Sequence, residues 1–207
     1  MTPYKTEQET FWTGEFGNEY VSRNRGGHLV AGATALFAKA LARAAPPTSI
    51  IEFGANIGIN LQAIHGLLPA ARLSAIEINE RAVEELKQHA FVQEVFHQSI
   101  LEFSPTRTWD MSLIKGVLIH IAPDELPKIY DRLYQASSRY VCLIEYYNPT
   151  PVEIPYRGHS NRLFKRDFAG EMLDRFPDLK LVDYGFVYHR DPIFPLDDAT
   201  WFLLEKR

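Results

Sequence analysis

The sequence predicts an α/β fold: a mostly parallel seven-stranded sheet with helices on both faces, an antiparallel last strand and extra helices at the N-terminus. Three observations predict it. From Ser49 onward, short apolar runs alternate with helical periodicities, the pattern of strands joined by crossover helices. The first run, Ile50-Ile51-Glu52-Phe53, breaks at Gly54-Ala55-Asn56-Ile57-Gly58 straight into a helical stretch. The last two runs, Leu179–Tyr188 and Thr200–Glu205, have no helix between them, so they pair as a hairpin that reverses the final strand.

Taken in order, Thr6-Glu7-Gln8-Glu9 has capping-box spacing and opens a helix carrying Phe11 and Trp12. Phe11, Trp12, Phe16 and Tyr20 fall where they would line one face of a helix, with packing their default use. From His28 to Ala44, residues Leu29, Ala33, Leu36, Phe37, Ala40 and Leu41 share one helical stripe, and Pro46-Pro47 ends it. Residues 1–45 thus form an N-terminal helical cap. The alternation then runs through strand Ser49–Phe53, helix Ile57–Leu68, strand Leu73–Ile78 and helix Glu80–His89. A weaker strand, Glu94–His97, precedes strand Met111–Lys115, helix Asp124–Ser137 and strand Tyr140–Tyr146. Residues 147–166 are too long for an ordinary connection and read as an irregular substrate loop or lid. Helix Asp167–Arg175 leads into the closing hairpin.

The 207 residues suit one domain with an ample core, and 46% hydrophobic with 23% charged residues is ordinary for a globular protein. A net charge of −4 gives no general pull toward nucleic acid or an anionic membrane. No apolar run reaches the ~18 residues of a membrane span. The polar first ten residues do not form a signal peptide, so a cytoplasmic location is expected. Cys142 stands alone in an apolar run, as a small core residue, and the histidines show no ligand spacing, so no metal is expected.

A strand–turn–helix of this kind aims backbone N–H groups and a positive helix end into a crevice. Gly54 and Gly58 permit a tight turn and close backbone approach to a ligand. The next apolar run, Arg72-Leu-Ser-Ala-Ile-Glu77, ends in a carboxylate where a ribose diol would sit. Glu52 and Glu77, ending neighbouring strands, point to a nucleoside ligand.

On these residues the chain, over roughly 48–207, resembles the class I S-adenosylmethionine-dependent methyltransferases, whose sheet is Rossmann-like. The resemblance implies S-adenosyl-L-methionine as cofactor, held by Glu52, Gly54, Asn56, Gly58 and Glu77. It extends to Trp109–Ile121, which looks like the family's fourth strand, with Lys115 at its end as a further cofactor-binding residue and the Val-Leu-x-His-Ile segment after it. Where many members carry an adenine-binding Asp after the third strand, this chain has His97-Gln98-Ser99-Ile100, which leaves Ser99 and Ile100 for that contact. Asn56 stands where the commoner glycine loop has its middle glycine. A narrower resemblance covers nearly the whole chain. Thr6–Tyr20, Glu145-Tyr-Tyr-Asn-Pro149, Tyr156-Arg-Gly-His159, Phe164-Lys-Arg-Asp-Phe168 and Asp183-Tyr-Gly-Phe186 look like the pseudaminic acid biosynthesis-associated methylases. This implies a sugar or nucleotide-sugar acceptor of bacterial surface glycans.

On the acceptor side, Ile154–Arg166 holds Arg157, His159, Arg162, Lys165 and Arg166 and no acid, directly after the fifth strand. Arginine forks suit carboxylate or phosphate, and open α/β sheets bind ligands beyond strand carboxyl ends. Tyr147, Tyr156, Arg157, Arg162 and Lys165 are therefore candidates to hold a small anionic acceptor. His159, His120 and Tyr146 are the candidates for orienting or deprotonating it, against the plainer readings of a surface imidazole and a structural hydrogen bond. Two alternatives stay open: a non-catalytic cofactor binder of the same fold, and an NAD-dependent oxidoreductase, which shares the first strand–turn–helix. The acceptor atom and the oligomeric state are not legible.

Overall fold

A computed structural model describes residues 5–207, with every side chain except that of His159. Strand β1 (Ser49–Phe53) is buried along its whole length, as an apolar run covered on both faces must be. It pairs in parallel with β2 (Arg72–Glu77) on one side and β4 (Trp109–Lys115) on the other. Beyond them lie β3 (Val92–His97) and β5 (Ser137–Glu145), both parallel to their neighbours. The sheet closes with β8 (Leu179–Val187) and β9 (Ala199–Lys206), and its order is β3-β2-β1-β4-β5-β9-β8. β9 inserts antiparallel between β5 and β8, as the missing helix between the last two runs predicts.

The chain turns one way from β1 to β3 and the other way from β4 onward, so the crevice opens above the carboxyl ends of β1 and β4. Helices α3 (Gly27–Ala40) and α4 (Ile59–Leu67) cover one face; Phe37, Leu61 and Ile64 pack there against Ile50, Leu73 and Met111. On the other face α6 (Leu126–Ala136) and α7 (Phe168–Arg175) bury Ile129, Leu133 and Met172 against Ile51, Ile114 and Val141. Helix α5 (Glu80–Leu86) links β2 to β3, with Asn79 capping it through a bond from Ala82 N. No described helix is long and apolar enough to cross a membrane.

Two regions depart from the sequence expectation. The N-terminal aromatics do not share one helix: α1 (Glu7–Thr13) carries Phe11 and Trp12, Gly14 breaks the run, and α2 (Glu15–Arg23) carries Phe16 and Tyr20. A Cβ on Gly17 would run into the Trp12 carbonyl, so the glycine lets the two helices turn tightly on each other. The capping box itself is present, with Thr6 and Glu9 bonding reciprocally. The second departure is residues 147–166, which are not an irregular loop. They contain a hairpin, β6 (Val152–Tyr156) with β7 (His159–Lys165). Tyr156 pairs with His159 across a two-residue turn in which Arg157 (φ 48°) and Gly158 (φ 85°) are both left-handed, the geometry that fits strand twist. Leu163 and Phe164 are buried, and Leu163 anchors the hairpin to the core beside Leu118 and Ile119.

Candidate functional site

The crevice is a roofed cavity of about 700 Å³, within the size range of small-molecule sites. Its floor is the turn after β1, with one wall from Glu77–Asn79 and Ser99–Leu101 and the other from Lys115–Val117 and Ile119–Ala122. Trp12, Gly17 and Tyr20 form the roof, while Tyr146, Tyr156, Arg157 and the β8–β9 connection close the far end.

The floor turn is built on three positive φ angles, at Gly54 (76°), Asn56 (47°) and Gly58 (84°). Its amides are largely engaged within the protein, not free for a ligand. Gly54 N and Ala55 N donate to the Ile76 carbonyl (2.9 and 3.1 Å), Asn56 N to Glu77 Oε2 (2.7 Å) and Gly58 N to the Ala55 carbonyl (2.9 Å). What the turn offers the cavity is the Asn56 side chain, whose Oδ1 is buried and has no hydrogen-bond partner. A buried acceptor without a donor is rare in a finished structure and marks a place for a ligand N–H or O–H.

Glu77 lines the cavity and is 7% exposed. Its Oε1 accepts from Ile78 N and Asn79 N (both 2.8 Å) and its Oε2 from Asn56 N. Burial pushes its pKa up, and these three backbone donors pull it back. The carboxylate thus ties β2 to the floor turn, and with two bonds at Oε1 and one at Oε2 it keeps a lone pair on Oε2 for a ligand hydroxyl. Glu52 behaves differently: it is fully buried beneath the floor, outside the cavity wall. Asn60 Nδ2 donates to its Oε1 (2.6 Å), Oε2 has no partner, and burial drives its pKa to about 8. Gly58 also lies outside the wall, and its missing Cβ makes room for Leu86, not for a ligand. Gly54, by contrast, is at the cavity, and a Cβ there would stand 2.6 Å from Val117 Cγ2. Ser99, Ile100 and Lys115 line the cavity as well, with Ser99 Oγ accepting from Leu101 N (3.0 Å).

At the far end of the cavity the fold brings together His120, Tyr146, Tyr156 and Arg157. His120 Nδ1 lies 2.6 Å from the Arg162 carbonyl, which can only accept, so Nδ1 carries the proton and Nε2 the lone pair. Its ring packs between Trp12 (4.8 Å) and Tyr156 (5.0 Å), and burial lowers its pKa to about 4. The imidazole is therefore neutral at ordinary pH and a weak base. Tyr146 donates to Asp197 Oδ2 (3.0 Å); burial, then the nearby carboxylate, raises its pKa.

Three of the expected acceptor residues are not in the wall. Arg162 turns to Glu7 (3.1 Å) and lies over the Phe11 ring, Lys165 sits over Tyr146 (5.3 Å), and Tyr147 is exposed beside Phe202. Arg162 and Lys165 lie on β7, where pairing fixes each side chain's direction and sends the two to opposite sides, whereas a charge count along a loop has no side; Tyr147 precedes the hairpin. His159 opens β7, and its side chain lies outside the described residues.

Several contributors carry no function in the sequence reading. Glu145, at the end of β5, accepts from Val117 N, Leu118 N and Ile119 N (2.9, 2.9 and 3.4 Å), which holds the turn that presents His120. Burial raises its pKa to about 7 against those bonds. Its signal was available: like Glu52 and Glu77, it is an acid ending a buried strand. Asn79 Nδ2 donates to the Trp12 carbonyl (3.1 Å) and to Asn18 Oδ1 (3.0 Å), latching the roof to the β2 end. Gln8 Nε2 donates to the Asn161 carbonyl (3.1 Å), tying the roof to the hairpin. Asp197 has no sequence signal at all.

The sheet order, the reversed β9 and a cavity over the β1–β4 switch point are those of the class I S-adenosylmethionine-dependent methyltransferase fold. No protein-family model and no curated protein matches the sequence. Among solved structures, magnesium protoporphyrin IX methyltransferase from Synechocystis PCC 6803 with bound S-adenosylhomocysteine is similar at a TM-score of 0.72 and 14% identity, covering 97% of this chain and all (100%) of that one. The complex of DhpI with S-adenosylhomocysteine gives 0.64 and 16%, covering 96% and 95%. The Burkholderia thailandensis 1,6-didemethyltoxoflavin N1-methyltransferase, bound to that compound and S-adenosylhomocysteine, gives 0.67 and 17%, covering 96% and 86%. Identities this low establish the fold and nothing finer.

Proposed function

We propose that this chain transfers a methyl group from S-adenosylmethionine to a small anionic acceptor, a sugar or nucleotide-sugar of bacterial surface glycan synthesis, in the cytoplasm. One observation carries the reading: a single roofed cavity runs from Asn56 and Glu77 at one end to Tyr156 and Arg157 at the other. The first end fits the cofactor. Glu77 has one acceptor site left, on Oε2, for a ribose hydroxyl, the orphaned Asn56 Oδ1 can take a donor, and Ser99 stands at the third strand end for the base. When bound, the sulfonium supplies the methyl group and leaves as a neutral thioether.

The chain's own part is alignment and exclusion of water. The roof of α1 and α2, latched by Asn79 and Gln8, covers the reacting region. Arg157 holds the acceptor's anionic group, and the neutral His120 accepts a hydrogen bond at Nε2 from the acceptor. The rings of Trp12 and Tyr156 give an apolar wall on which a sugar face or a base can stack. Support for the sugar comes from the segments around Tyr156–His159 and Phe164–Phe168, and from Arg157. Solved neighbours that act on a porphyrin and a toxoflavin precursor show that one sheet serves many acceptors, so the acceptor end has to decide. Incubation with methyl-labelled S-adenosylmethionine and a panel of nucleotide-sugars tests the reading. Label in a nucleotide-sugar supports it, whereas cofactor binding with no label in any acceptor would leave a binding protein.

A further inference from the structure

Lys115 brings to the cavity a charge that the fold leaves without a direct partner among the described residues. Its side chain lines the cavity and makes no hydrogen bond or ion pair within the described residues. Lys115 is half-buried, and drawing an ammonium even partly out of water without a partner is unfavourable, so a lysine placed this way is open to a ligand. Its position is specific. Phe53 pairs with Ile114, which sets Lys115 beside Gly54 on one side; on the other it pairs with Ile144, two residues before Tyr146. It therefore stands on the strand that divides the cofactor end of the cavity from the acceptor end. Alternation along β4 places it with Met111 and Leu113, on the sheet face that also receives α3.

The other candidate bases are compromised. His120 Nδ1 is taken by the Arg162 carbonyl and its burial makes Nε2 weakly basic. Tyr146 keeps its proton on the bond to Asp197. Around Lys115, Glu52 on β1, Glu145 on β5 and Asp197 in the β8–β9 connection favour the ammonium, while burial is the larger effect and favours the amine. Tyr20, Tyr146 and His28 also face the cavity. A positive ligand entering the same cavity adds to burial and opposes the carboxylates.

We propose that Lys115 is the proton acceptor of the transfer, and that the positive charge of the bound cofactor brings it to its neutral, basic form. This rests on the methyltransferase reading above. In the step, the acceptor's O–H or N–H proton moves to the lone pair of Nζ, giving the ammonium. The electron pair left on the acceptor compensates the bond it forms to the methyl carbon, as the carbon–sulfur bond breaks toward sulfur. After the reaction the product is neutral at sulfur and Lys115 is charged again.

The test needs no acceptor. S-adenosylmethionine and S-adenosylhomocysteine differ at sulfur by one positive charge, so their binding is compared by calorimetry across pH in buffers of different ionisation enthalpy. Only the sulfonium ligand should release a proton from Lys115, and its affinity relative to the thioether should rise about tenfold per pH unit below the Lys115 pKa. Lys115→Met should abolish that excess proton release and its pH dependence. Lys115→Arg, permanently charged, should keep the ratio low and flat, and thermal melting establishes that both variants are folded. Equal proton release by the two ligands in the wild type, or an unchanged difference in Lys115→Met, would overturn the proposal while leaving cofactor binding intact. Failure of both ligands to bind the wild type would overturn the methyltransferase reading and this proposal with it.

Discussion

Replacing Glu77 with Gln separates its structural role from its role toward the cofactor. The amide retains one oxygen, which can still accept from Ile78 N and Asn79 N, but its NH₂ must then face Asn56 N, donor against donor. Leaving that buried N–H unpaired costs about 1–3 kcal/mol. Exchanging two charge-assisted bonds for neutral ones costs roughly 1 kcal/mol more. A loss of about 2–4 kcal/mol is a sizeable share of the ~5–15 kcal/mol that holds a domain together, yet it leaves the chain folded. Glu77→Ala would remove the acceptor of three buried amides at once, and lost binding could then not be told from lost folding. The assay is urea unfolding of Glu77→Gln beside calorimetry with S-adenosylhomocysteine. The midpoint should drop with an unchanged slope, and ligand affinity should fall at least tenfold, because Glu77→Gln weakens both the ribose contact and the hold on Asn56. Stability and affinity both at wild-type values would refute the reasoning that this carboxylate joins the β2 end to the floor turn.

Glu52 has its pKa raised to about 8, so its contribution to stability is complete below the unfolded value near 4.5 and gone above about 8. Glu52→Gln, which keeps the acceptor for Asn60, should therefore gain on the wild type by up to roughly 1.4 kcal/mol per pH unit across that window, and a pH-independent difference would contradict the assignment. Gly54→Ala meets Val117 Cγ2 at 2.6 Å with φ at 76°, and the strain of about 1–2 kcal/mol should appear both in thermal stability and as weaker S-adenosylhomocysteine binding. Arg157→Ala should raise the acceptor's KM while S-adenosylhomocysteine affinity stays the same; the opposite split would make the hairpin turn a cofactor lid.

Much of the sheet was legible because its strands are buried on both faces and read as unbroken apolar runs. Ser49–Phe53 matches to the residue, and the hairpin of the last two strands followed from the missing helix. The hairpin at 152–165 was missed because Pro155 and the dense charge mask the alternation of Val152, Ile154 and Tyr156, a short strand pattern easily taken for a loop. That one error also misplaced Arg162 and Lys165, since only a strand decides which side a residue faces. The cavity residues nearest the strand ends, Asn56, Glu77 and Lys115, were readable from position. Contacts made across hundreds of bonds were not: nothing local links Trp12 to His120, Asn79 to Trp12, or Tyr146 to Asp197.

Titration of the full-length chain with S-adenosylhomocysteine and, separately, with NAD tests the central claim most directly. The strand–turn–helix with its following acid belongs to both ligand classes, and only the whole cavity distinguishes them. A cavity built from Asn56, Glu77 and Ser99 beneath the α1–α2 roof predicts one S-adenosylhomocysteine per chain and no heat from NAD. It also predicts that Glu77→Gln weakens the first titration. Saturable binding of NAD with none of S-adenosylhomocysteine would contradict the account.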